Sequence, residues 1–243
     1  MAKRLKIPVR CFGSDPDAPS VADLAAWAKK RTGLGGDLTT FYLMRTIQAQ
    51  KGVDIPAAGG WFYLERCAAG MLPDTTLDDI KDDIGAVISV ARNPWWSVPS
   101  PASITPDPGE DEVMAYRNLL RNMRDAGVFG HVILTDQAPQ PLELELLTGR
   151  RFFWYLASVN ENSLEKVLEI QRDIAVPPKI LPLLHDLMGS YTVRKVIVID
   201  PGEGDLRQAL ELVDSDNIMS GGFAPANHPT YWEELISGSF LFR

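Results

Sequence analysis

Hydrophobic residues fall along this chain in short solid runs, separated by stretches in which apolar positions recur every three or four residues. The runs predict strands buried on both faces, and the spaced stretches predict amphipathic helices. Lys6 to Phe12 is the first run. Ser20 then predicts a helix cap, with Asp23 as its capping-box partner and Val21, Leu24, Ala25 and Ala28 as the apolar stripe. Gly33, Gly35 and Gly36 break that helix, and Asp37 opens a second one carrying Leu38, Phe41, Tyr42 and Ile47. After Gly59-Gly60, Trp61 to Arg66 predicts a strand. Leu77, Ile80 and Ile84 mark a short acidic helix, and Ala86 to Arg92, rich in β-branched residues, predicts another strand.

The stretch from Asn93 to Gly109 holds Pro94, Pro99, Pro101, Pro106 and Pro108. Each proline removes an N–H donor, so this segment predicts a long irregular loop that displays Trp95 and Trp96. Beyond it, Glu110 to Gly127 is the clearest helix, with Val113, Tyr116, Leu120 and Met123 on one face. Strands are predicted at Gly130–Thr135, Arg151–Ser158, Arg194–Asp200 and Asn217–Gly221, with a short last one at Phe240–Phe242. Helices are predicted around Leu164, Val167, Leu168 and Ile174, at Ile180–Met188, around Leu206, Leu210 and Val213, and at Tyr231–Ile236. Pro141–Leu147 alternates Leu142, Leu144 and Leu146 with Glu143 and Glu145 at strand periodicity, but its place between two strands and its Leu/Glu content favour a helix. Ile180–Met188 is apolar on nearly every face and reads as a buried helix.

Alternation of this kind predicts a parallel sheet with crossover helices. Eight strand candidates in 243 residues favour a (β/α)8-barrel-like fold built as a single α/β domain over 1–243, with an open doubly wound sheet as the alternative. One feature strains the barrel: a barrel closes with a helix after its eighth strand, and here the last candidate strand is the end of the sequence.

Both architectures place ligands at the carboxyl ends of the strands. Polar residues at those ends are therefore the candidates: Asp136, Asp200, Ser158, Asn160, Arg92 and Asn93, with Cys11, Glu65 and Arg66 ending other runs. Converging carboxylates serve acid–base chemistry because burial and mutual repulsion separate their pKa values. The same aspartates also suit helix caps and turns. Of three histidines, His131 starts its strand, His185 reads as a core residue of an apolar helix, and His228 follows the last glycine pair. Asp136, Asp200 and His228 are thus the expected acid–base groups. Ser220, Gly221 and Gly222 read as a turn whose backbone N–H groups approach an anion. Arg92 would pair with that anion, and Trp95 and Trp96 would cover it.

Composition narrows the choice of partners. The chain is 45% hydrophobic and 23% charged, enough for a sizeable core, and its net charge is −8. An acidic surface disfavours nucleic acid and anionic membrane as partners. The basic run Ala2-Lys3-Arg4-Leu5-Lys6 reads as a solvated terminus. No signal-peptide pattern or membrane-length stretch is visible and the two cysteines form no Cys-x-x-Cys, so the sequence reads as cytoplasmic.

Phosphate-loop, metalloprotease-helix and nucleophile-elbow patterns are absent from the sequence. Gly202-Glu203-Gly204 lacks the third glycine of a dinucleotide fingerprint, since Arg207 stands there. The spacing of Asp200 and Glu211 matches a calcium loop, but Gly202 and Gly204 bring no side-chain oxygens. Three dispersed histidines make no zinc pattern. The sequence therefore specifies no cofactor. It points to an enzyme acting on a small polar, anionic metabolite by acid–base chemistry. The alternative is a non-catalytic binding or assembly protein, using the Trp95/Trp96 loop and Phe240-Leu241-Phe242 as oligomer or partner contacts.

Overall fold

A computed structural model of the chain describes residues 4–31, 35–72, 75–202 and 204–242; Ala2, Lys3, Gly33 and Glu203 lie outside the described residues. In chain order the strands are β1 (Arg4–Lys6), β2 (Val9–Ser14), β3 (Ala57–Gly59), β4 (Trp95–Pro99), β5 (Gly130–Thr135), β6 (Phe152–Leu156), β7 (Asp173–Val176), β8 (Lys195–Ile199), β9 (Ile218–Ala224) and β10 (Phe240–Phe242). The helices are α1 (Val21–Lys30), α2 (Leu38–Ala49), α3 (Leu64–Gly70), α4 (Asp78–Ile88), α5 (Pro101–Ile104), α6 (Glu110–Asp125), α7 (Pro141–Leu146), α8 (Glu161–Leu168), α9 (Leu181–Leu187), α10 (Asp205–Ala209) and α11 (Tyr231–Gly238).

Two four-stranded parallel sheets, ordered β2-β9-β8-β7 and β3-β4-β5-β6, carry the fold. They meet edge to edge, giving a (β/α)8-barrel-like ring wrapped by helices. Alternation along each strand sorts side chains into two layers. Phe12, Leu134, Phe153, Ala175, Ile197 and Met219 pack on one another inside the ring. Trp96, Val98, Ile133, Trp154, Val176 and Val198 point outward and pack under the helices. Burial on both faces is why these strands read as solid apolar runs. Gly221 relieves crowding inside the ring, because a Cβ there would lie 2.6 Å from Phe12 and 2.7 Å from Ile197.

The sheets meet at two seams where the regular ladder lapses, and at each a glutamine amide stands in for backbone. At the β2/β3 seam Cys11 N donates to Ile55 O at 2.9 Å. There Gln50 Oε1 accepts from Ala57 N at 3.0 Å, and its Nε2 donates to Ala57 O at 2.8 Å. At the β6/β7 seam Gln171 Oε1 accepts from Trp154 N at 2.7 Å. Its Nε2 reaches Trp154 O at 3.2 Å and Asp173 O at 2.8 Å. An amide carries a donor and an acceptor with the spacing of a peptide group, so it satisfies strand edges that would otherwise be orphaned.

Several expected elements fall elsewhere. Trp61–Tyr63 forms a 3-10 turn that runs into α3, whose buried Cys67 lies four residues after buried Tyr63. The strand of that region is β3 instead. It is only Ala-Ala-Gly, because a Cβ on Gly59 would meet Ser97 O at 2.4 Å. Ala86–Arg92 is the last turn of α4 and the bends after it: buried Ile80, Ile84 and Val87 keep helical spacing, and that burial overrides β-propensity.

The expected loop at 93–109 contains β4 and α5. Its prolines sit where they cost nothing: Pro94 precedes β4, Pro99 is its last residue, and Pro101 begins α5. Trp96 is therefore a fully buried strand residue rather than a displayed one. Ile174 belongs to β7, not to the helix before it. Phe240–Phe242 pairs antiparallel with β1 and lies outside the ring, so α11 is the helix that follows the eighth ring strand, β9. His185 is exposed on α9, whose buried side carries only Leu181, Leu184 and Leu187. Cys11 and Cys67 are both buried and unbridged.

Replacing Gln171 by leucine would strand the Trp154 N–H and two carbonyls in the seam. An unsatisfied buried polar group costs about 1–3 kcal/mol. Gln171→Leu is expected to lower the unfolding free energy by about 3 kcal/mol in urea titration; an unchanged midpoint would show that the seam needs no bridge.

Candidate active site at the carboxyl ends of the strands

All eight ring strands run parallel, so their carboxyl ends share one rim. Asp200 follows β8 directly and adopts φ +47, a left-handed conformation in which a non-glycine residue stores strain. Its N–H donates to Gly221 O at 2.9 Å, which fixes the turn against β9. The Tyr231 hydroxyl, from the start of α11, donates to Asp200 Oδ1. Gly222 makes that contact possible, since a Cβ there would lie 1.7 Å from the Tyr231 oxygen and 2.9 Å from Asp200 Oδ1.

The electrostatics follow from this packing. Burial raises the Asp200 carboxyl above the usual carboxylate range, against the pull of the Tyr231 hydrogen bond and the His228 charge. Burial, then the Asp200 charge, drive the Tyr231 phenol far above its ordinary value, so it stays a neutral donor. Tyr155, at the end of β6, is raised by burial and by the same carboxylate. It stacks on Phe12 at 4.8 Å and on Phe223 at 6.4 Å between ring centres. The His228 ring packs edge-on against Tyr231 at 5.6 Å, and its Nε2 donates to Glu234 Oε2 at 3.1 Å. Thr230 and His228, in that order, hold the Glu234 carboxyl below its usual range. Two polar pairs, Asp200 with Tyr231 and His228 with Glu234, thus lie side by side across the β8 and β9 ends, joined by the ring contact of Tyr231 and His228. His228 also borders a small rim cleft of about 140 Å³ with Asp15, Arg45 and Trp232. Burial raises the Asp15 carboxyl as well.

The other expected residues are distributed differently. Asp136 is exposed on the same rim after β5, with β6 and β7 between it and β8. Ser158 is exposed after β6, while Asn160 caps α8 by accepting from Ser163 N at 3.0 Å. Arg92, Asn93 and Trp95 precede or begin β4 and lie at the amino ends of the strands, across the ring from Asp200. They sit there because the segment read as a strand ends α4, and the true strand, β4, begins only at Trp95. Ser220, Gly221 and Gly222 lie within β9 rather than in a turn after it, without positive φ, and pair with β2 and β8. No anion-binding nest forms there. Arg66 and Glu65 are on α3, where Arg66 Nε holds the buried Asp83 at 3.0 Å and braces the helix layer.

His131 is buried, donates from Nε2 to Leu120 O at 2.9 Å, and is pushed down to about 3 by burial, which keeps it neutral and structural. Among the described residues no cluster of three or more His, Cys, Asp or Glu side chains is arranged to hold a metal ion. Cys11 lies near the rim, but burial pushes its thiol up to about 12, which removes it as a nucleophile.

Sequence patterns missed Tyr231 and Tyr155, which read there as helix and strand apolar residues. They also missed Ser14 and Ser97, buried hydroxyls on β2 and β4 whose oxygens find no protein partner. The available signal was positional: each lies in the last residues of a strand or the first of the following helix.

A Tyr231→Phe variant removes the donor that favours ionised Asp200. The Asp200 carboxyl is expected to rise further in a carbon-13 NMR titration, and a fall on substitution would contradict the arrangement.

No protein-family model matches the chain, and no curated protein matches it in sequence. Among solved structures, CpGH84B is similar over 96% of this chain and 47% of its own, with 10% identity and a TM-score of 0.51. A dihydrodipicolinate synthase family protein from Coccidioides immitis aligns over 96% of this chain and 64% of its own, at 8% identity and a TM-score of 0.42. A dihydrodipicolinate synthase, dapA, aligns over 95% and 74% at 14% identity with a TM-score of 0.35. The chain spans about half the length of CpGH84B, and that likeness shows the barrel-type fold alone.

Proposed function

We propose that this chain is an enzyme that acts on a small polar metabolite by acid–base chemistry at the carboxyl rim of its strands. The observation that carries the reading is Asp200. A strained backbone, a carboxyl raised by burial and a neutral tyrosine donor coincide on one group at the end of a ring strand. A carboxyl moved toward neutrality exchanges protons with a substrate more readily than an ordinary aspartate. Tyr231 then serves as the hydrogen-bond donor that steadies charge on Asp200, and the His228–Glu234 pair lies beside it at the rim. Asp136 faces the same rim and joins the reading as a substrate contact rather than as a partner of Asp200.

The substrate reading changes in one respect. Arg92, which pointed to an anion, is at the other end of the strands, Ser220–Gly222 is taken up in the β9 ladder, and the groups that line the rim include Asp15, Asp136 and Asp200. An uncharged or cationic metabolite therefore suits this end better than an anionic one. The assembly alternative loses its main feature, because Trp96 is buried in the helix layer and Leu241 is covered in the β1/β10 ladder.

The test uses Asp200→Asn, which keeps an acceptor for Tyr231 and suits a left-handed φ. A panel of small polar metabolites is incubated with each protein in deuterated water and followed by proton NMR. Conversion or exchange by the wild type, lost by about 100-fold or more in Asp200→Asn, supports the reading. Equal rates in both proteins, or no reaction across a broad panel, would overturn it.

Stability provides a separate check. Because the folded-state pKa of Asp200 is raised, its favourable contribution is complete below the unfolded carboxyl value and is lost as pH rises through the folded one. Near neutral pH the ionised group therefore weighs against the fold. Asp200→Asn is expected to melt at or above the wild-type temperature at pH 7, and a clearly lower melting temperature would assign Asp200 a structural role instead.

A further inference from the structure

The opposite end of the ring holds a feature that the reaction at the rim does not use. Arg10 lies on β2 and faces the interior, 95% buried by its 5% exposure. Its guanidinium carbon sits 4.0 Å from the Phe153 ring centre and 4.4 Å from that of Trp95. Its Nε and Nη2 donate to no protein acceptor. Burial lowers its pKa to about 10, against the attraction of Asp173, so the group remains a cation at neutral pH. A buried guanidinium with unmatched donors requires an explanation, because such donors are paired in nearly all folded proteins.

Arg10 borders a cleft of about 540 Å³ at the amino ends of β6 and β7. This is the seam that Gln171 bridges, so the interior is reached there between strands that form no ladder. Arg150, Arg172, Arg194 and Asp173 line the same cleft. Asp173 is engaged by Arg194, with both oxygens taken at 2.8 Å. Among the described residues no carboxylate forms an ion pair with Arg10, Arg150 or Arg172. Four guanidinium groups therefore line one cleft with a single carboxylate, Asp173, which is bonded to Arg194, in a chain whose net charge is −8.

We infer that this cleft binds the phosphate group of a small molecule, with Arg10 at its floor and Arg150 and Arg172 at its mouth. A carboxylate satisfies one guanidinium fork. A tetrahedral dianion presents oxygens in several directions and can balance several cations around one cleft, such as Arg10, Arg150 and Arg172. The cleft exceeds the size of the anion and falls within the range of small-ligand sites, leaving room for the body of the ligand along Phe152 and Phe153. The site lies at the amino face of the ring, whereas Asp200 lies at the carboxyl face, so it is independent of the acid–base reading.

Inorganic phosphate is the probe, titrated by calorimetry and by thermal melting at ionic strength held constant with sodium chloride. Saturable binding with a raised melting temperature is expected. The exposed pair Arg150→Gln with Arg172→Gln should weaken it by about tenfold or more while leaving the ligand-free melting temperature unchanged. Arg10→Met should abolish it, and Asp200→Asn should leave it intact. Acetate at equal concentration should bind more weakly than phosphate. The inference is overturned if chloride reproduces the stabilisation, or if the Arg150/Arg172 variant binds phosphate as the wild type does. It is equally overturned if a single-stranded oligothymidylate binds through these arginines while free phosphate does not, which would make the face a nucleic-acid surface.

Discussion

The constraint on which this structure depends is that every strand edge in a ring must find a partner. A parallel ring of eight strands has no free edge only if its last pairing closes, and here two pairings are irregular. Gln50 and Gln171 meet that demand with side-chain amides that imitate the missing peptide groups. The arrangement keeps the interior continuous while allowing the strands on either side to separate slightly. The wider opening, at β6/β7, is where the arginine-lined cleft reaches the interior. The seam that Gln171 bridges is thus also the one beside the cleft.

The class of fold was legible because strands buried on both faces leave solid apolar runs, as in Lys195–Ile199 and Gly130–Thr135. Helix starts were legible where capping chemistry is local: Ser20 with Asp23, and Asp37, cap as their spacing predicts. The three misplaced ring strands have specific physical causes. Ala57–Gly59 is built of small residues because the backbone of β4 comes close, and small residues carry no strand signal. Trp95–Pro99 is bounded by prolines that sit at its ends, where a missing N–H is harmless, although in sequence they resemble breakers. Asp173–Val176 is so short that its apolar residues merged with the periodicity of α8. Each error concerned a strand whose identity is set by its neighbours rather than by its own side chains.

The site was legible to a similar degree. Asp200 and His228 stand out because polar residues that follow strands in a parallel fold lie at its carboxyl rim, where the proposed site is. Tyr231 did not, since a tyrosine at the start of an amphipathic helix is indistinguishable from a core residue until β9 is seen to carry glycine opposite it. The residues expected to hold an anion are not brought together. Arg92 and Ser220–Gly222 depended on strand boundaries that shifted, whereas the cationic cleft uses Arg10, Arg150 and Arg172 at the starts of strands and in the turns before them. The result is a molecule with an acidic carboxyl face and a local concentration of guanidinium groups at its amino face.

Gly222 shows how far the properties of one group are set by the absence of another. It has no reactive atom, yet the volume its missing side chain would fill is occupied by the hydroxyl that grips Asp200. Any larger residue would evict that oxygen and take its hydrogen bond from the carboxylate. The acidity of a residue on one strand is therefore encoded in the emptiness of its neighbour, and a survey restricted to chemically active side chains would pass over the position that tunes it.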